Sequence, residues 1–249
     1  MIYVTADLHG DAARLKEPAV KKLGRRDTLI VLGDFGFLWS GSKAEQKTLR
    51  WIGRRRCRVL FLDGAHENFD LLAACPEEDF EGGRARHITG RLWYLQRGEI
   101  YTLEGRRFLA FGGGESEDPD NREEGKTWWS AELPTPAELA HCRDSLEAAG
   151  HRVDYILTHT PPVRLRRSLL GETAEVNCLE TFLDEVQQTT EYRCWYFGRF
   201  HIDRALGPRA AAVYRRVLPL WKPEKKRLFR RADSAKAPAA GDAGEPKQA

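Results

Sequence analysis

The chain has 249 residues, 40 Lys and Arg against 37 Asp and Glu, a net charge of +3 and 41% hydrophobic residues. Such a length buries a full core within one α/β domain, and so small a net charge does not announce a nucleic-acid binder. No run of eighteen apolar residues exists to span a membrane, and five cysteines without CxxC spacing argue against a disulfide framework or a zinc knuckle. A soluble, cytoplasmic protein with buried thiols is expected.

The N-terminal "MIYVTADLHG" reads as a branched-apolar strand running into polar residues, without the charged start of a signal segment. "TLIVLG" and "RVLFLDG" repeat that pattern and suit central strands covered on both faces. Residues 12–23 and 43–52 are polar and periodic, so helices are predicted there and the chain opens as parallel βαβαβ. "LWYL", "EIYTL" and "RRFLAFGG" predict a second, more antiparallel sheet, with a hairpin turn at Glu104 and Gly105. A helix is predicted after Thr135, with Pro136 in its first turn and Glu138 closing a capping box, and Gly150 ends it. "VDYILTH" and "CWYFG" are further strands.

Residues 231–249, rich in Ala, Pro, Gly and charge, are predicted to be a disordered tail, which leaves one domain over 1–230. Basic runs at Arg54, Arg55, Arg56 and Arg58 and over 222–231 read as a solvated face and a basic tail. Nucleic-acid association is the alternative for both runs.

Five short motifs follow the predicted strands. Asp7 and His9 lie in "DLHG", Asp34 in "LGDFG", His66 in "DGAHEN", His159 in "THTPP" and His201 in "GRFHIDR". Four of the seven histidines fall in them, where loops collect side chains at one sheet edge. Singly, each has a plain alternative: a loop histidine at His9, a turn carboxylate at Asp34, a turn residue before prolines at His159.

In this order the motifs resemble those of the calcineurin-like metallophosphoesterases, over residues 1–204. The resemblance implies two mixed β-sheets packed face to face and flanked by helices, with a metal site at the strand ends. It also implies two cations bridged by Asp34. Asp7, His9, Asp34 and His201 match the first cation's ligands. The second would use Asp34, a motif asparagine, His159 and a further histidine. Here Ala65 stands where the family has the asparagine, and Arg199 where it has that histidine. Alanine offers no donor atom, and guanidinium has no lone pair and repels a dication. One tightly held ion is therefore expected, with the second weak or absent. Imidazole and carboxylate donors favour Mn, with Fe, Zn or Ni as alternatives, over Ca or Mg.

Three accounts of the loss stand open: Arg199 replaces the second cation and grips phosphate oxygens, the site binds a phosphoryl ligand without hydrolysing it, or the two changes are engineered. His66 matches a residue that the family places near the leaving-group oxygen, where imidazole suits proton donation. The expected function is a metal-dependent phosphomonoesterase or phosphodiesterase acting on a small phosphate ester or nucleotide. The alternative is a weak or inactive phosphoryl-ligand binder with a single metal. In the polar loop 112–129, Arg122 is a predicted phosphate contact and Trp128 or Trp129 a pocket wall, against the alternative of a surface loop pinned by packed aromatics. Asp203, two residues past His201, is a candidate carboxylate for orienting a histidine. The GDxxDRG pattern of protein serine/threonine phosphatases is absent, since Phe35, Gly36 and Phe37 follow Asp34.

Overall fold

Strands β1 (Ile2–Thr5), β2 (Thr28–Val31) and β3 (Arg58–Phe61) lie side by side in parallel, with Ile2 opposite Thr28 and Thr28 opposite Arg58. A computed structural model of the chain describes residues 1–116, 121–171 and 175–221. The predicted tail 231–249 and the basic run 222–231 lie outside the described residues. Every residue of β2 is buried, as its unbroken apolar pattern requires.

The first sheet has seven strands. Beyond β3 come β6 (Leu92–Leu95), β5 (Gly83–Thr89) and β4 (Glu77–Phe80), and β13 (Leu218–Pro219) flanks β1 on the other side. The second sheet has six, in the order β11 (Arg204–Ala205), β12 (Ala210–Ala212), β10 (Cys194–Phe197), β9 (Tyr155–Thr158), β8 (Arg106–Phe111), β7 (Glu99–Leu103). Ile2, Val4, Ile30 and Leu60 of the first sheet share one core with Tyr101, Phe108, Leu157 and Tyr196 of the second. The two mixed sheets therefore pack face to face. A second core joins the far side of the first sheet to α2 (Lys43–Gly53) through Leu49 and Ile52. A third joins the far side of the second sheet to α4 (Pro136–Ala148) and α6 (Cys178–Thr189).

Several expectations change in detail. "LWYL" is β6 of the first sheet, parallel to β3, because the chain crosses between sheets only after it. The second sheet is parallel through its centre, from β8 through β9 and β10 to β12, and antiparallel only at its edges. The helix predicted over 12–23 breaks into a 3-10 turn, Arg14–Lys16, and a single α-turn, α1 (Pro18–Lys21). Pro18 has no N–H to continue a helix and forces Glu17 into extended backbone. The short α3 (Phe69–Ala73) and α5 (Val163–Leu170) complete the helices.

α4 begins as predicted: Thr135 and Glu138 form a reciprocal capping box and Pro136 sits in the first turn. All five cysteines are free, with Cys57 and Cys142 buried but Cys178 exposed. Among the described residues no helix is long and apolar enough to cross a membrane.

Candidate metal centre

Each motif leaves the C-terminal end of a strand: Asp7 and His9 after β1, Asp34 after β2, His66 after β3, His159 after β9 and His201 after β10. Parallel strands present these ends on one side, so two sheets deliver their loops to one rim. The loops are tightly wound. Asp7, His9, Asp34, Arg199 and His201 all have left-handed backbone, with φ between 47° and 75°. Such conformations cost on the order of 1 kcal/mol or more each and persist where the surroundings over-determine them. Gly33 and Gly64 make the crowding feasible. A Cβ on Gly33 would sit 2.2 Å from Nδ1 of His159, and one on Gly64 2.2 Å from Oδ1 of Asp34.

The side chains of these motifs come together at that rim. Nε2 of His9 lies 2.9 Å from Nε2 of His201 and 3.6 Å from Oδ2 of Asp34. Asp34 is nearly buried, and its Oδ1 accepts the backbone N–H groups of Ala65 at 2.8 Å and His66 at 3.0 Å. Burial pushes its carboxyl up, but the field of His159 and the hydrogen bond from His66 outweigh this and hold it below the usual range. The Asp7 side chain is 0% exposed, and burial followed by repulsion from Asp34 raises its carboxyl well above normal. Its Oδ1 accepts the Arg199 N–H at 3.1 Å, while Oδ2 has no partner among the described residues.

His159 is also buried. Its Nδ1–H donates to the Leu32 carbonyl at 2.9 Å, which leaves Nε2 facing Asp34 Oδ1 at 3.5 Å. Burial lowers its pKa, with the Asp34 carboxylate opposing that shift. An unpartnered carboxylate oxygen on buried Asp7, beside the buried Asp34 carboxylate, calls for positive charge between them. The sets Asp7–His9–His201 and Asp7–Asp34–His159 each bring their ligand atoms within 4.8 Å of one another. These residues fit a divalent cation.

Arg199 holds Asp7 with its main chain and sends its side chain elsewhere. Nη1 donates to Thr160 Oγ1 at 3.1 Å and Nη2 to the Glu115 carbonyl at 3.0 Å. A Cβ placed on Gly114 would lie 3.1 Å from that Nη1 and 3.2 Å from both the Ala65 nitrogen and Cδ2 of His159. The guanidinium therefore shares its corner with His159 and Ala65. Across the site, Nδ1 of His66 lies 3.1 Å from Oδ2 of Asp34, and this hydrogen bond raises its pKa. A cavity of about 250 Å³ opens over the group, lined by these histidines, Asp34, Arg199, Glu115, Ser116 and Arg122.

Some expected residues do other work. Neither tryptophan walls this cavity: Trp129 is buried, donates its Nε1–H to Asp70 at 2.9 Å and meets Trp39 edge-on, so it pins the loop. Trp128 lines a small neighbouring hollow with Ser130 and Leu133, which shares Glu115 and Ser116 with the cavity. Asp203 does not orient a histidine directly. It accepts the N–H groups of Tyr214, Arg215 and Arg216, and Tyr214 then stacks on His201 with ring centroids 4.7 Å apart.

Two supporting residues escape a reading of the sequence. Buried Arg14 reaches under Asp7, donating to the carbonyls of Asp7, Ala6 and Tyr214. Buried Glu67 ties the Asp34 loop to the His66 loop, accepting from Phe35 N at 2.6 Å and Gly64 N at 3.1 Å. Burial, and then Asp34 and Asp63, push its carboxyl well up. Only the motif position of Glu67, next to His66, hints at such a role.

The chain matches the family model of the calcineurin-like phosphoesterases over residues 1–206. No curated protein matches it. Among solved structures, the crystal structure of TT1561 of Thermus thermophilus aligns over 86% of this chain and 89% of that one, at 15% identity and a TM-score of 0.46.

Proposed function

The chain belongs to the calcineurin-like phosphoesterase family, and from that premise we propose a phosphoester hydrolase that works with one firmly held divalent cation and an arginine in place of the second. Asp7, His9, Asp34 and His201 would hold the cation, and manganese suits this mixture of carboxylate and imidazole. When bound, it would draw charge from a phosphoryl oxygen and acidify a water toward a pKa of about 7.

The observation that carries this reading is the place of the Arg199 guanidinium, in the corner it shares with His159 and Ala65. A fixed cation there offers N–H donors to phosphoryl oxygens and needs no lone pair from Ala65. Arg122, on the cavity lining, supplies a second positive charge for the same group. His66 gives one ring nitrogen to Asp34 and keeps the other for the substrate; its position on the cavity wall suits proton delivery to the departing oxygen. Thr160 and the Glu115 carbonyl hold the guanidinium in register, so its charge is placed before the substrate arrives.

Metal counting beside turnover of a nitrophenyl phosphate ester tests the proposal. The chain as it stands should carry one ion and show manganese-dependent hydrolysis. Ala65→Asn combined with Arg199→His should carry two ions. Two tightly bound ions in the unaltered chain would refute the role given to Arg199. Absence of turnover with every metal, together with thermal stabilisation by phosphate, would instead favour a phosphoryl-ligand binder.

A further inference from the structure

The charge of this protein is distributed very unevenly. Residues 12–58 hold thirteen Lys and Arg against four Asp and Glu, a local excess of nine in a chain whose net charge is +3. Along α2 and its C-terminal cap the spacing matters more than the count. Lys43, Lys47, Arg50 and Arg54 follow one another at intervals of four, three and four, which places them in one stripe along the helix. All four are exposed, and none forms an ion pair with another described residue. The acids nearby are engaged elsewhere: Glu17 binds Arg215, Asp27 binds the Met1 ammonium, and Glu45 accepts N–H groups from Trp39 and Ser40. The stripe extends about 16 Å at 1.5 Å per residue.

Beside this stripe lies an aromatic surface. Trp51, one turn beyond Lys47, is half-buried and forms part of a groove of about 390 Å³ together with Ala12, Lys16, Lys47 and Thr48. Lys16 Nζ lies over the indole ring, 5.5 Å from its centroid, and Arg55 Cζ over it at 5.3 Å, so a base stacking on the ring takes the place of one of these flexible cations. An aromatic face flanked by a row of unpaired cations is the arrangement that takes a base on the ring and phosphates along the row. A duplex keeps its bases stacked and cannot use the ring, whereas a single strand can.

We propose that the outer face of α2 binds single-stranded nucleic acid, with one base on Trp51 and the phosphate backbone along Lys43, Lys47, Arg50 and Arg54. This surface covers the far side of the first sheet and uses none of the cation ligands, so the inference does not depend on the hydrolase assignment.

Binding of the full chain to a fluorescein-labelled thymidine 20-mer, followed by anisotropy across a salt series, tests it. Four phosphate contacts give a log–log salt slope of about −3 for a single strand, a loss of about 50-fold between 50 and 200 mM salt. Lys47→Gln with Arg50→Gln should halve that slope. Trp51→Leu should cost about tenfold or more at unchanged slope, with Trp51→Phe recovering part of the loss. Melting curves of the same variants establish that the fold is intact. The proposal is overturned by no binding at 50 mM salt, by equal affinity for a duplex of the same length, or by binding that these variants leave unchanged, as binding through residues 222–231 would be. Capture by phosphatidylserine vesicles without capture of the oligonucleotide would likewise overturn it and assign the face to membranes.

Discussion

His9 and His201, 192 residues apart in the chain, bring their Nε2 atoms within 2.9 Å of each other. Two neutral imidazoles at that distance can share one proton, and two protonated ones repel. Burial also lowers the pKa of His9, with Asp34 opposing that shift and His66 and His201 reinforcing it. The contact is thus poorly served by protons and well served by a shared cation.

Manganese should accordingly raise the melting temperature and EDTA should lower it. At free metal a hundredfold above its Kd the gain is about 2.7 kcal/mol. His201→Ala should melt at the same temperature with or without manganese. A metal-dependent shift that survives this substitution would remove His201 from the ligand set.

His66→Gln should lower kcat by about 10²- to 10⁴-fold, the range for a lost general acid. The variant should still retain manganese by elemental analysis. Loss of metal along with activity would make His66 a ligand rather than a proton donor.

Glu132 provides a test by pH. It is 2% exposed, Oε2 accepts the Ser116 N–H at 2.9 Å and Oε1 has no partner among the described residues. Burial raises its carboxyl, so the folded chain holds this proton more firmly than the unfolded one. Its stabilising contribution is complete below the ordinary glutamate pKa and is lost as pH rises through the raised value. Glu132→Gln should therefore stabilise the protein at pH 7 by on the order of 1 kcal/mol and shrink that benefit toward pH 4. Urea denaturation at the two pH values measures the difference, and equal effects at both would refute it.

Arg97 and Asp63 form a buried ion pair at 2.5 Å, both 5% exposed or less, and Arg97 also donates to the carbonyls of Ala131 and Glu132. Arg97→Met strands the Asp63 carboxylate and should cost about 3–5 kcal/mol. Asp63→Leu with Arg97→Met should recover much of that loss, since no charge remains buried. Chemical denaturation of both variants makes the comparison, and additive losses in the double variant would contradict it.

The donor loops are legible because each motif is contiguous in sequence and follows an apolar strand, and α4 is legible because its capping box spans only four residues. The assignment of strands to sheets is not. "LWYL" and "EIYTL" have similar local patterns, and only the pairing of Val59 with Leu92 places the first beside β3. Arg14 reads as one more surface charge, since its burial depends on a carbonyl 200 residues away. The basic run at 54–58 stands out for its density, whereas the helical phase of α2 picks out 43, 47, 50 and 54. Ala65 and Arg199 are conspicuous in sequence, but the corner that the guanidinium occupies comes from Gly114 as well as Thr160 and His159, and no motif joins Gly114 to the "THTPP" run.

The left-handed backbone at five positions of the centre bears on how this protein could be improved. Glycine adopts that conformation without steric strain, so laboratory evolution rewarding heat resistance alone would drift toward glycine at His9, Arg199 and His201, whose side chains accept no backbone N–H. Each such gain would erase one of the proposed metal donors or the guanidinium. A screen for hardier versions must score ion retention alongside survival of heating, or it will enrich for robust and empty scaffolds.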